Sequence, residues 1–198
     1  WLKGETQYRR PDLLLFVNGL PLVFIELKNS DVNLKTAYDK NLQDYIHDIP
    51  QLFFFNQICV LSNATETRIG SFTANYSHFF EWLRSSEDEQ VNRKQIYEQG
   101  TSIEYLLNDL FKHEKLLDYL ENFILYENKR VKILAKNHQF LGVNNAIEAF
   151  ENRARLDGKL GVFWHTQGSG KSYSMAMYVN KINRKIKGNF TFLMVTDR

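Results

Sequence analysis

Apolar positions along the chain fall into runs and stripes that predict an alternation of strands and helices. Between Asp12 and Ser30, DLLLFV and LPLVFIELK are almost unbroken apolar runs around Asn18-Gly19, a strong β-hairpin signal. Residues 31–47 space Leu34, Ala37, Tyr38, Leu42 and Tyr45 among polar positions, which predicts a helix. Ile49-Pro50 should end it, because proline disfavours a helical residue before it. LFFFNQICVLSN reads as a buried strand, with ETRIGSF as its partner or edge. His78 to Arg84 reads as a short helix or turn carrying Phe79, Phe80 and Trp82. Ser85 to Gly100 is poor in apolar residues and is expected to be a mobile connection. From Ser102 to Leu125, a stripe of Ile103, Leu106, Leu107, Leu110, Phe111, Leu116, Leu117, Leu120 and Ile124 predicts helix. Val131 to Glu151 should add one or two more. The tail reads strand (GVFWHT), glycine loop (QGSG), helix (KSYSMAMYVNKINRKI), strand (FTFLMVT). That order predicts two parallel strands joined by a crossover helix.

Composition narrows the class. The chain has 198 residues, 43% hydrophobic and 24% charged, so it can bury a core and is neither disordered nor fibrous. Twenty-five basic and 23 acidic residues leave a net charge of +2, so bulk charge implies no particular partner. The single cysteine, Cys59, excludes an internal disulfide framework and a cysteine-based zinc site. No apolar run approaches the roughly 20 residues of a membrane span, and WLKGETQYRR does not resemble a signal peptide. A soluble protein of a reducing, cytoplasmic compartment is expected, without membrane contact. The strand-like runs at both ends lead to the expectation that the chain is a piece of something longer.

Two constellations carry chemistry. His165-Thr-Gln-Gly168-Ser169-Gly170-Lys171-Ser172 lies between an expected strand and an expected helix, the context of a phosphate-binding loop. Glycines allow the backbone to wrap a phosphate, and the helix N-terminus adds partial positive charge. Lys171 would reach the β and γ phosphates, and Ser172 would ligate Mg2+. The GxGK[ST] core is intact, but histidine 165 stands where the longer pattern has its first glycine. The alternative is a structural glycine turn.

The second constellation is Asp12 at the start of the first hairpin strand with Glu26 and Lys28 at the end of the second. Charges within apolar strands are costly unless paired or metal-bound. Two carboxylates can bind Mg2+, and a neighbouring lysine can orient water or stabilise developing charge. Glu26 and Lys28, two apart on a strand, share a face. Asp12 joins them only if the hairpin departs from a plain two-residue turn. That turn pairs Asp12 with Ile25 and turns Glu26 away. A three-residue loop, Val17-Asn18-Gly19, pairs Asp12 with Phe24 and unites the three side chains. The odd loop with a glycine bulge is therefore expected, and an equivalent bulge elsewhere in the hairpin would serve as well. The alternative is an exposed salt bridge at a hairpin end.

Together these pieces resemble one family. RRPDLLLFVNGLPLVFIELKNS is similar to the PD-(D/E)xK nuclease core of the R subunit of type I restriction-modification enzymes. FENRARLDGKLGVFWHTQGSGKS resembles the start of that subunit's superfamily 2 helicase-like motor, and VTDR the motif after it. The resemblance implies an α/β fold: a restriction-endonuclease-like core over 1–125, with the connection near 85–100, followed over 126–198 by the first part of a RecA-like P-loop parallel sheet. It implies that Asp12 and Glu26 are metal ligands, that Lys28 is the catalytic lysine, and that Gly168, Ser169, Gly170, Lys171 and Ser172 bind nucleotide. Gln139 matches the motor's adenine-reading glutamine. The family's Gln-x-x-x-Tyr element fits Tyr45, but Asn41 stands four residues before it and Gln43 only two. A further upstream acid has only Glu5 as a candidate. The cofactors implied are Mg2+ and ATP. The partners implied are double-stranded DNA and the methyltransferase and specificity subunits. The expected function is ATP-dependent translocation and cleavage of DNA, the chain carrying the hydrolysis site and the ATP loop but not the rest of the motor. The competing reading is a P-loop ATPase with a structural, non-catalytic N-terminal docking domain. Arg9, Arg10 and Lys35 are the basic residues expected near the site. His47, His78, His113 and His138 show no shared metal spacing.

Overall fold

The computed structural model describes residues 1–4 and 7–195. Glu5 and the Thr196-Asp197-Arg198 end of the VTDR motif lie outside the described residues. A short ribbon pairs β1 (Leu2–Lys3) with β2 (Tyr8–Arg9). The central sheet has the order β3 (Leu13–Val17), β4 (Leu20–Leu27), β5 (Ile58–Ser62), β6 (Thr67–Gly70). Only β4 and β5 run parallel; the other two pairs are antiparallel. Every residue of β5 is buried, because both faces of the sheet are covered.

One face packs against a helical rod made of α1 (Leu34–Thr36), a π-helical turn (Ala37–Leu42) and α2 (Gln43–Asp48). Its buried residues, Leu34, Ala37, Leu42 and Tyr45, meet Phe24, Cys59 and Leu61. The five-residue step from Ala37 to Leu42 follows from the wider π turn. Leu42 rather than Asn41 is thereby delivered inward, one turn before Tyr45.

The other face, with Val23, Ile25, Val60 and Ile69, shares one buried cluster with residues of α4 (Ser102–Asn108), α5 (His113–Asn122), α6 (Asn137–Glu151) and α7 (Lys171–Lys185). A hairpin of β7 (Ile124–Glu127) and β8 (Val131–Leu134) lies between α5 and α6 and straddles position 125. Lys132 docks it: its ammonium donates to the Asn56 carbonyl and lies over the rings of Phe72 and Tyr126, at 5.1 and 5.8 Å. Burial lowers the Lys132 pKa to about 8. Lys181, near the end of α7, is 7% exposed and donates to Asp118 of α5 and Asn144 of α6, each at 2.6 Å.

Several expected elements differ. Asn18 and Gly19 form a two-residue turn with positive φ at both (50° and 80°), which is the backbone a type I′ turn demands. The three-residue loop does not form. Residues 93–99 of the expected connection form a helix, α3 (Arg93–Gln99), capped by the Asn92 side chain and ended by left-handed Gly100. Its lone buried residue, Ile96, leaves no stripe to read. The long helix expected from Ser102 to Leu125 is broken at Asp109–Lys112 and gives way to strand at Ile124, as Val131–Leu134 does before α6. These segments hydrogen-bond to each other, a choice that no single run of residues encodes.

The largest departure lies at the end of the chain. The helix of the expected βαβ unit is present as α7, but GVFWHT and the described part of FTFLMVT join no sheet. A parallel strand exists only through a neighbour's hydrogen bonds, and neither segment pairs with the other among the described residues. Val162, Leu193 and Val195 are 94%, 88% and 84% exposed. Phe163 is instead held against α6, where a Cβ at Gly142 would lie 1.9 Å from its ring.

Candidate active site

The hairpin register decides the first site. Val17 faces Leu20 and Phe16 faces Pro21, but Leu15 faces Val23 and Leu13 faces Ile25. Leu22 is the extra residue of a β-bulge, one of the places where the needed offset was allowed to fall. Continuing the register by one residue sets Asp12 opposite Glu26. Asp12 is exposed at the rim, whereas Glu26 is 2% exposed at the sheet centre, where its neighbour on β5 is Leu61. The Asp12 Oδ2 accepts the Leu27 amide at 2.8 Å, taking the place of the next ladder carbonyl. Lys28 Nζ donates to Glu26 Oε1 at 2.6 Å.

The second oxygen of Glu26, Oε2, is buried without a hydrogen-bond partner among the described residues. Burial raises the Glu26 pKa, Lys28 opposes that shift, and the Asp12 charge adds to it. A partnerless buried carboxylate oxygen beside a second carboxylate is a donor set suited to a hard divalent cation, and Mg2+ needs only one or two carboxylates because it retains waters. Among the described residues there is no group of three or more His, Cys, Asp or Glu side chains that could hold a metal.

Tyr45 reaches the same place from α2. Its hydroxyl donates to the Arg10 carbonyl at 2.8 Å, two residues before Asp12. Burial, then Glu26 and Asp12, pushes the phenol up to about 12, so it stays protonated as a donor. Asn41 and Gln43 are half-buried, and neither hydrogen-bonds Asp12 or Glu26 among the described residues. The three expected basic residues are engaged elsewhere. Arg9 pairs with Asp48 at 2.5 Å and Asp44 at 3.3 Å, Lys35 pairs with Asp39, and Arg10 lies over the Trp1 ring at 5.8 Å.

The glycine loop forms the second site. Gly168 and Gly170 have φ of +77° and +90°, a region that glycine enters without strain. Gly170 caps α7, whose 15 residues begin at Lys171. The side chains of Lys171 and Ser172 are exposed and have no hydrogen-bond partner among the described residues. Ser169 folds back, its hydroxyl donating to the Thr166 carbonyl at 2.6 Å. Gln139 is 3% exposed and braces the loop: Nε2 donates to the Gly170 carbonyl at 2.9 Å, while Oε1 accepts the Lys136 amide at 2.8 Å. Both ends of this side chain are therefore in use. Free donors at a helix N-terminus suit a phosphate group.

The mixed sheet, covered on both faces, fits an α/β nuclease-like domain. Residues 1–78 match the family model described as type I restriction enzyme R protein N terminus. Residues 138–198 match that of the SWI2/SNF2 ATPase. The chain is 38% identical over 201 residues to the type I restriction enzyme HindI endonuclease subunit of Haemophilus influenzae, covering 96% of this chain and 19% of that protein. It is 34% identical over 211 residues to the putative type I restriction enzyme MjaIXP endonuclease subunit of Methanocaldococcus jannaschii, covering 97% and 20%. A Staphylococcus aureus subunit, SauCOLORF180P, is 28% identical over 172 residues. The chain belongs with the R subunits of type I restriction enzymes, through the N-terminal region of that family. It spans about a fifth of the length of the curated relatives it matches. No helix of the described residues is long and apolar enough to cross a membrane.

Proposed function

We propose that the chain supplies the DNA-cleaving site and the ATP loop of a type I restriction enzyme. The observation that carries this reading is the offset register that sets Asp12 opposite a buried, half-satisfied Glu26, itself bonded to Lys28. Asp12 and Glu26 would hold Mg2+. Bound there, the ion would polarise the scissile phosphodiester and lower the pKa of a coordinated water. The Lys28 ammonium, anchored on Glu26, orients the attacking water and stabilises the charge growing on the phosphorus oxygens. Tyr45 holds the Arg10 carbonyl and so fixes the entry to Asp12.

At the second site, the amides of residues 168–172 and Lys171 would hold the phosphates of ATP, with Ser172 toward its Mg2+. Gln139 would read the adenine by exchanging its bond to Gly170. The SWI2/SNF2 match over 138–198 supports this assignment and the division into a nuclease part and the beginning of a RecA-like motor. Double-stranded DNA is the proposed substrate. Methyltransferase and specificity subunits are the proposed partners.

The test is cleavage by the assembled enzyme. Asp12→Ala, Glu26→Ala and Lys28→Ala should each abolish cutting while ATP hydrolysis persists, and Lys171→Ala should abolish both. Cleavage retained in all three hairpin variants would favour the competing reading, in which the N-terminal part only docks.

A further inference from the structure

A cleft of about 450 Å³ lies at the sheet edge away from Asp12. Its lining includes Arg68, Arg84, Arg93, Lys136 and His138, with Glu81 as the only carboxylate. Arg68 is paired with Glu66, just outside the lining. Glu81 is already held by Arg93 at 2.7 Å and by the Tyr97 hydroxyl at 2.5 Å. Arg84 and Lys136 have no carboxylate partner among the described residues.

Two relationships tie the cleft to both candidate sites. Arg68 faces Leu61, which faces Glu26, so Arg68 shares a sheet face and a row with the carboxylates. Two strand spacings, about 10 Å, separate Arg68 from Glu26. On the opposite wall, His138 Nε2 meets the Ser169 carbonyl of the glycine loop at 3.3 Å. The cleft thus lies between the edge of the central sheet and the start of α6, whose His138 touches the glycine loop. Beside Asp12, Arg9 is held by Asp44 and Asp48, Lys35 by Asp39, and Arg10 lies over the Trp1 ring, whereas Arg84 and Lys136 in the cleft are open to a polyanion.

We propose that this cleft binds the phosphodiester backbone of DNA, without reading sequence, through Arg84 and Lys136. The proposal rests on DNA being the substrate but not on the metal-site residues. Cationic side chains that neutralise phosphates release counterions, and each contact adds about 0.9 to the slope of log affinity against log salt.

The test is anisotropy of a fluorescein-labelled duplex titrated with the full-length protein from 50 to 300 mM salt, without divalent metal. Arg84→Ala/Lys136→Ala should bind about ten-fold more weakly at low salt, with a slope shallower by about 2. Arg84→Lys/Lys136→Arg should restore the slope, which separates lost charge from lost fold. Arg9→Ala should leave the slope unchanged. A double-alanine variant with the wild-type slope, in a protein that still binds and cuts DNA, overturns the proposal and leaves the substrate standing. Weaker binding of a fluorescent ATP analogue with an unchanged DNA slope also overturns it, since the cleft would then hold nucleotide phosphates. Absence of DNA binding by the wild type at every salt concentration would overturn the substrate and the cleft together.

Discussion

Asp12 sits opposite Glu26 across the first hairpin, and its carboxylate closes the ladder by accepting the Leu27 amide at 2.8 Å. One residue, Leu22, makes this possible. Without its bulge the two acids would point to opposite faces of the sheet. Deleting Leu22 should therefore abolish cleavage as fully as Asp12→Ala does. Both variants should fall at least a hundred-fold below wild type in single-turnover cutting by the assembled enzyme.

Glu26 combines a raised pKa with a buried, unpartnered oxygen, so its charge costs folding free energy when no metal is present. An acid whose folded pKa is raised holds its proton longer in the folded state. Stability is then lost as pH rises from the ordinary carboxylate range through the raised value. Glu26→Gln should stabilise the metal-free protein by about 1 kcal/mol at pH 8, and by less toward pH 4. Chemical denaturation at the two pH values, without divalent ions, measures the difference. A loss of stability at pH 8 would count against the site as drawn.

Lys132 makes the opposite kind of pH test. Its pKa falls from 10.5 to about 8 on burial, so the unfolded chain binds the extra proton between those values and stability rises with pH across that window. The residual cost at neutral pH is about 3 kcal/mol. Lys132→Met lacks this titration. Wild type should gain on that variant by about 2 kcal/mol between pH 7 and 10, as read from paired urea melts.

The Lys181–Asp118 pair joins the helix of the glycine loop to α5. Asp118→Ala leaves a buried ammonium short of its counter-charge and should destabilise the protein by about 3 kcal/mol. Lys181→Met/Asp118→Leu removes both charges and should cost less than Asp118→Ala alone. A double-mutant cycle by thermal melting checks this.

At the loop itself, a Cβ on Gly170 would lie 2.7 Å from Gln139 Nε2 at a φ of +90°. Gly170→Ala should weaken binding of a fluorescent ATP analogue about ten-fold, corresponding to roughly 1–2 kcal/mol of backbone strain. Adding Gln139→Ala should relieve the clash but leave the strain and remove the adenine contact, and so should not restore the affinity.

Much of this could be read from single positions. Asn18-Gly19 announced the hairpin, and both residues take the positive φ their composition allows. The spacing of Glu26 and Lys28 put them on one face, where they bond. Glycines 168 and 170 marked the loop and the start of α7. Other features depended on distant partners. Lys132 looks like an ordinary surface lysine until Asn56, Phe72 and Tyr126 close around it. Arg9 and Lys35 were plausible cations for DNA, yet nearby acids already occupy them. Arg68 joins the carboxylate row only because β4, β5 and β6 align in register.

The sequence by itself determined which residues are chemically able: two acids and a lysine in apolar strands, and a glycine loop before a helix. These follow from local rules, since alternation, turn geometry and capping act over a few neighbours. Only the tertiary structure decided where the extra residue of the bulge falls, which apolar segments become strands, and where unpaired positive charge collects. Strand pairing and ion pairing are long-range. Each compares partners far apart in the chain, and the free energy of a hydrogen bond or a salt bridge belongs to the pair rather than to either residue.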